Sequence, residues 1–390
     1  MKRIYLDYAA TTPVHPDVVK EMLPYFSEYY GNPSSIHSIG QEAREGVELA
    51  RTRIAKLIGA SPEEIVFTGG GSEADNFALM GIAFSKEKKG NHIITTTIEH
   101  HAVLETARFL QKKGLKVTYL KVDKDGLVDP MDVKYAITPK TILVSIMHAN
   151  NEVGTIQPIA EISRITSEAG IYFHTDSVQT VGHLPVDVKK LNVDMMSMSA
   201  HKLYGPKGVG ALYIKRGIRI MPLIHGGQQE RGRRAGTENV PGIVGFGKAA
   251  DIALKEVDTE SARITSLRGK LIKGLTERID HIRLNGHPVK RLPNNVNVSV
   301  EYVEGESLCL NLDLEGICSS TGSACSSSSA EPSHVLTALG MPPQLAHGSL
   351  RFSLGKWTTA GEIDRVIESL SRVVTKLRAM SPLLSSRKGV

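Results

Sequence analysis

Seven short apolar runs punctuate the chain before residue 215: EIVFTG, HIITTT, KVTYLKV, TILVSIM, IYFHTD, DMMSMS and GVGALYI. Runs of this length, rich in apolar and β-branched residues, read as strands, and the longer amphipathic stretches between them, such as EADNFALMGIAFSKEKKG, read as helices. Their alternation predicts an α/β fold with a mostly parallel seven-stranded sheet flanked by helices, in a large domain over residues 16–260. After ENVPGIVGFGKAADIALKEV, a long helix, the pattern changes to separated segments, among them NNVNVSV, SLCLNLDLEGIC and GSLRFSLG. These predict a smaller α+β domain from residues 1–15 and 261–390. No internal repeat is visible. The one low-complexity patch is serine-rich, GSACSSSSAEPSH, around Cys325.

Composition narrows the function classes. A hydrophobic fraction of 41% with mean hydropathy of -0.12 describes a folded, soluble chain of 390 residues. No run of about 18 apolar residues and no apolar segment behind the basic start suggests a membrane span or a secretory signal, so a cytoplasmic location without membrane association is expected. The net charge of +6 is scattered except at Arg231, Arg233 and Arg234, and aromatics are 5%, which disfavours nucleic acid and favours an anionic small molecule. Three cysteines cannot all pair within one chain, and in a reducing compartment none need pair. Cys309, between Leu308 and Leu310, and Cys318, after Ile317, read as packing residues. Cys325, with almost nothing apolar around it, does not.

Open α/β sheets bind ligands beyond the carboxyl ends of their strands, so the residues that follow each run carry the chemistry. FTGGGSEADN gives a strand, three glycines and a helix, with Ser72 and Asp75 at capping-box spacing. It is either a phosphate cradle or a tight, well-capped turn. It lacks the glycine pattern of a dinucleotide fold and the GKS/T of a P-loop, so neither NAD nor ATP follows. Asp176 ends IYFHTD, where a helix N-cap is the plainer reading. Lys202, after MMSMSAH, would ordinarily be solvated. Taken together, these segments supply a lysine, a carboxylate and the Ser72 and Ser199 hydroxyls that pyridoxal phosphate needs for its Schiff base, its pyridine nitrogen and its phosphate. His100 could stack on the ring and shuttle protons, and Asn151 could reach the phenolic oxygen, unless either is a hydrogen-bonded turn residue.

At this point the chain resembles the cysteine desulfurases of the NifS/IscS type, in the class-V aminotransferase group of fold type I pyridoxal phosphate enzymes. The likeness runs through YLDYAATTPVHP, GNPSSIHSIG, FTGGGSEADN, IEHHAVL, MHANNEVGTIQPI, HTDSVQTVG, SAHKLYGPKGVGALY, RAGTENVPGIVGF, GSACSSSSAEPSHVL and SLRFSLG, nearly the whole chain. The resemblance implies that Lys202 forms the Schiff base and removes the Cα proton, that Asp176 pairs with the pyridinium nitrogen, and that Gln179 bonds the phenolic oxygen with Asn151 nearby. It places His100 against the ring and as an acid for sulfur departure. It puts the phosphate on Gly71, Ser72, Ser199 and His201, with Thr237 reaching in from the other subunit of a homodimer. The L-cysteine carboxylate would meet Arg351 and Asn151.

Cys325, on a mobile loop at about 319–333, would take the substrate sulfur as a persulfide, leaving L-alanine, and pass it to an iron–sulfur scaffold protein or another sulfur acceptor. The long serine-rich loop is similar to that of the housekeeping subgroup. The ending AMSPLLSSRKGV is shorter than the extension many members use near the scaffold, which makes scaffold docking a weaker expectation than catalysis. Rival expectations are a selenocysteine lyase or a class-V aminotransferase on the same site, and a non-catalytic sulfur-relay or iron–sulfur assembly partner in which Cys325 is a transient cluster ligand and no other residue holds a metal.

Overall fold

The computed structural model describes residues 3–321 and 332–380. Its strands are β1 (Ile4–Tyr5), β2 (Ile65–Thr68), β3 (His92–Thr96), β4 (Lys116–Leu120), β5 (Thr141–Ser145), β6 (Tyr172–Asp176), β7 (Met195–Ser199), β8 (Gly210–Ile214), β9 (Ile282–Leu284), β10 (Asn295–Val300), β11 (Ile317–Cys318) and β12 (Ser349–Ser353). The seven apolar runs are β2 to β8, in one sheet ordered β2-β8-β7-β6-β5-β3-β4. All pairs between β7 and β4 are parallel, and only β8 runs against its neighbours β2 and β7. Strands β2, β3, β5, β7 and β8 are buried at every residue, as expected of strands covered on both faces. The edge strand β4 instead opens with exposed Lys116.

Because β2 and β7 point the same way, the carboxyl ends of β2, β3, β5, β6 and β7 all open on one side of the sheet. Helices cover both faces. Gly71–Ser85 packs on one, with Ala74, Phe77, Ala78 and Ile82 in a core shared with Val66, Ile93, Leu143 and Leu212. On the other face, Ser38–Leu57 and the first part of Val240–Arg278 lie against Phe67, Val144, Phe173 and Met198.

A separate core joins both chain ends. Ile4 and Leu6 meet Val296, Val298, Leu350, Phe352 and helix Ala360–Met380 around the antiparallel sheet β12-β10-β9, while β1 pairs with β11. Residue 260 falls inside the continuous 39-residue helix Val240–Arg278. This helix buries Val240 to Ala250 in the large core and Ile264, Leu271 and Leu275 in the small one, so it couples the two regions mechanically.

The apolar run SLCLNLDLEGIC folds mainly as a helix, Gly305–Leu314, followed by β11. Helical spacing sends Leu308 and Leu312 inward and leaves Leu310 67% exposed. Cys309 and Cys318 are accordingly only partly buried, short of the core positions their apolar neighbours suggest. No helix among the described residues is long and apolar enough to cross a membrane.

Candidate active site at the carboxyl ends of the strands

A cavity of about 290 Å³ opens where those strand ends converge. Each strand delivers its residues through the turn that follows it. The β2 turn brings Gly71 and Ser72, the β3 turn His100, the β5 turn Met147 and Asn151, β6 Asp176 and Gln179, and the β7 turn Ser199, His201 and Lys202. Arg351 arrives from β12 of the small core, and Ala9 and Ala10 from the N-terminal segment. Every expected cofactor and substrate residue except Thr237 therefore lines one cavity. Thr237 is exposed and lies outside it; the expectation put it in the other subunit's site. Cys325 lies outside the described residues.

The glycine turn differs from the capping-box expectation. Helix Gly71–Ser85 begins two residues earlier, with Gly70 at the N-cap and no side-chain cap, so Ser72 is an interior first-turn residue and Asp75 is buried against the sheet. A Cβ at Gly71 would sit 2.7 Å from Val178 Cγ2 and 3.4 Å from Ser199 Cβ. Only glycine lets the helix end close this tightly on the turn after β6. Its first N–H groups, uncapped, face the cavity beside Ser72, Ser199 and His201, an arrangement suited to an anion.

Lys202 Nζ donates to the carbonyl oxygens of Ala9 and, at 2.8 Å, Ala10. Asp176 spends one oxygen on the Val178 N–H at 2.9 Å, a turn bond rather than a helix cap. Burial pushes its carboxyl up to about 6, against a lowering pull from Lys202. Gln179 Nε2 donates to the Ala9 carbonyl at 3.1 Å. The N-terminal segment is thus fastened to both cofactor-facing turns.

His100 caps helix His101–Lys112, its Nδ1 accepting from the Ala102 N–H at 3.1 Å. An accepting Nδ1 carries no hydrogen, and burial together with Lys202 drives the ring down to about 4. The neutral ring therefore holds its proton on Nε2. His201 is bonded through Nδ1 to Thr11 Oγ1 at 3.1 Å and is likewise lowered, to about 4, mainly by burial.

Arg351 is 3% exposed. Nη1 donates to the Asn151 carbonyl at 3.0 Å and Nη2 to Asp7 at 2.8 Å, while Nε has no partner among the described residues. One edge of a planar guanidinium is thus left for a ligand carboxylate. The backbone of Arg351 pairs with Ser320, and Ser333 Oγ donates to buried Glu152 at 2.5 Å. The segment containing Cys325 therefore leaves and rejoins the described chain at residues tied to the cavity wall.

Two acidic residues of this region were not singled out from the sequence as site residues: Asp75, which lines the cavity, and Asp7, which holds Arg351. Asp7 sits in a quoted motif, YLDYAATTP, but its partner Arg351 is 344 residues away. Asp75 looked like a cap. The donor set fits pyridoxal phosphate: an amine between a buried carboxylate and an uncapped helix end with hydroxyls, and an arginine edge across the cavity.

Residues 4–366 match the family model for class-V aminotransferases. A cysteine desulfurase IscS of Dictyoglomus turgidum is 58% identical over 98% of this chain and 97% of its own length. Its namesake in Methanosarcina thermophila is 57% identical over 98% and 94%. Among solved structures, a NifS-like protein superposes with a TM-score of 0.90 at 42% identity, covering 96% of this chain and 99% of its own. SspA in complex with cysteine gives 0.81 at 40% identity, covering 91% and 100%.

Proposed function

The chain belongs to the class-V aminotransferase family, and on that premise we propose that it is a pyridoxal phosphate-dependent cysteine desulfurase that turns L-cysteine into L-alanine and leaves the sulfur as a persulfide on Cys325. The observation that carries this reading is the convergence of Lys202, Asp176 and Arg351 on one cavity. The phosphate would be held by Gly71, Ser72, Ser199 and His201 with Thr237 of a second copy, and the ring by Asp176, Gln179, Asn151 and His100. Bound there, pyridoxal phosphate supplies an electron sink for the carbon that bears the substrate amine.

The chain's own residues do the rest. Arg351 Nε, beside Asn151, takes the substrate carboxylate and fixes which Cα–H faces Lys202. The Lys202 amine removes that proton and returns one. Asp176, as an anion, keeps the ring nitrogen protonated. His100, with its hydrogen on Nε2, donates a hydrogen bond at the departing sulfur. The Cys325 thiolate attacks that sulfur: the substrate C–S bond breaks, an S–S bond forms, and the carbon left behind gains a proton. Cys325 lies five residues from Ser320, a span of about 17 Å fully extended, so its thiol has the reach to visit the cavity and then meet a sulfur acceptor.

The enzyme acts as a homodimer in the cytoplasm, and an iron–sulfur scaffold protein or another sulfur acceptor takes the persulfide. Leu23, Phe26, Tyr30 and Ile36 form an exposed apolar stretch that supports the dimer. The deciding experiment supplies purified protein with L-cysteine and a reductant and measures alanine and sulfide. Transfer to a keto acid without alanine release would mark an aminotransferase, and no turnover at all would mark a non-catalytic relay.

A further inference from the structure

Beneath the cofactor-facing carboxylate lies a second one with no assigned role. Asp75, on the inner face of helix Gly71–Ser85, is 1% exposed and lines the same cavity as Asp176. Its Oδ1 has no hydrogen-bond partner among the described residues and sits 3.7 Å from His174 Nε2. By distance alone this is an ion pair. The histidine's other contacts argue otherwise.

His174 lies two residues before Asp176 on β6, so both side chains leave the same face of the sheet. Its Nδ1 meets Ser145 Oγ at 2.8 Å and its Nε2 meets Ser197 Oγ at 2.9 Å. Those hydroxyls satisfy a neutral ring at both nitrogens, and burial drives its pKa down to about 3. His174 therefore supplies no positive charge. The groups bearing on Asp75 are Asp176 and Glu99, both acidic, and the Ser197 hydroxyl. The cation nearby, Lys202, acts on Asp176, and Arg351 is already matched by Asp7. One ammonium cannot stabilise two adjacent anions that are both buried.

We propose that Asp75 is a positioning residue that carries a proton, so that Asp176 is the single anion beneath the cavity. Resting on the reading of the cavity as a pyridoxal phosphate site, this assigns the two carboxyls opposite duties. Asp176 stays charged against the ring nitrogen. Asp75, neutral, sits behind it without competing for Lys202 or for the ring proton. Burial and the Asp176 charge both push Asp75 well above the ordinary carboxyl range, in keeping with the geometry.

The test compares asparagine at both positions in the full-length, cofactor-loaded protein. Asp75→Asn replaces a neutral acid by a neutral amide, so turnover should stay within about tenfold of wild type, the scale of one neutral hydrogen bond. The visible absorption of the bound cofactor and its pH titration should be unchanged. Asp176→Asn should lose on the order of a hundredfold or more, as expected when a preorganised charge partner is removed, and should shift that titration. A second readout needs no turnover: the infrared difference between wild type and Asp75→Asn at pH 7 should contain a protonated-carboxyl C=O band. Asp75→Ser, also uncharged, gives the same band if the asparagine protein cannot be purified. A difference spectrum with only ionised-carboxylate bands, or an Asp75→Asn protein as impaired as Asp176→Asn, overturns the proposal. Failure of wild-type protein to take up pyridoxal phosphate would instead overturn the cofactor reading, and the infrared band would still decide the state of Asp75.

Discussion

At the scale of the residue, the site works by separating charges that would otherwise cancel. Lys202 donates to the Ala9 and Ala10 carbonyls, which position its amine in the cavity beside Asp176. Lys202→Ala should lower alanine production by at least about a thousandfold, since it removes the covalent anchor and the proton carrier together. Borohydride reduction of the wild type followed by peptide mapping should find the cofactor on Lys202; another lysine would break the assignment. The three thiols divide by environment. Burial pushes Cys309 up to about 11, and burial together with Asp313 raises Cys318, so neither yields a thiolate readily. Cys325→Ala should bind cysteine yet release almost no alanine. Cys309→Ala and Cys318→Ala should remain active with a stability loss of about 1 kcal/mol or less. Mass spectrometry of cysteine-treated wild type should place one added sulfur on the Cys325 peptide.

Single buried carboxylates hold the elements in register around the cavity. Glu99, in the turn after β3, accepts from Thr96 Oγ1 at 2.7 Å and from the Met147 N–H after β5, fastening together two turns that line the site. Burial pushes it up to about 8 from an ordinary 4.5. A raised acid costs nothing while protonated in both states, below the ordinary value, and its cost grows as pH rises toward 8. Glu99→Gln is neutral throughout. Its stability relative to wild type should therefore improve by about 3 kcal/mol between pH 6 and pH 9, read from urea midpoints at each pH; a constant difference would mean Glu99 is already ionised at pH 6. Glu230 joins other elements: it pairs with Arg51 through both oxygens at 2.8 Å and accepts the Phe67 N–H of β2 at 2.9 Å. Glu230→Ala would strip the buried Arg51 guanidinium of its two-oxygen partner, leaving it the half-exposed Glu48 and the Ile65 carbonyl, and should cost about 3 kcal/mol in denaturant unfolding.

For the whole molecule, Phe26, 63% exposed, and Ile36, 95% exposed, are apolar surface that the proposed dimer would cover. Sedimentation should give twice the 42.4 kDa chain mass, and Phe26→Asp with Ile36→Asp should weaken that assembly; a wild-type monomer at micromolar concentration would count against the dimer and against Thr237 as a shared phosphate ligand. The sequence by itself determined the sheet, because strands buried on both faces must be written as continuous apolar runs, and all seven were legible. It also determined which turns carry chemistry, since Asp176 ends such a run and Gly71 and Lys202 come within three residues of the end of one. Only the tertiary structure decided what those groups do to one another. The tie between Asp7 and Arg351 spans 344 positions. The hydrogen on His100 Nε2 follows from a helix cap, and the misread spacing of Ser72 and Asp75 from a helix that starts at Gly71 so that its N–H groups stay open. The charge assigned to Asp75 depends on a histidine kept neutral by burial, between serines of the two neighbouring strands. Protonation states and long-range pairs are properties of distance and burial, which folding creates and a linear pattern of residues does not contain.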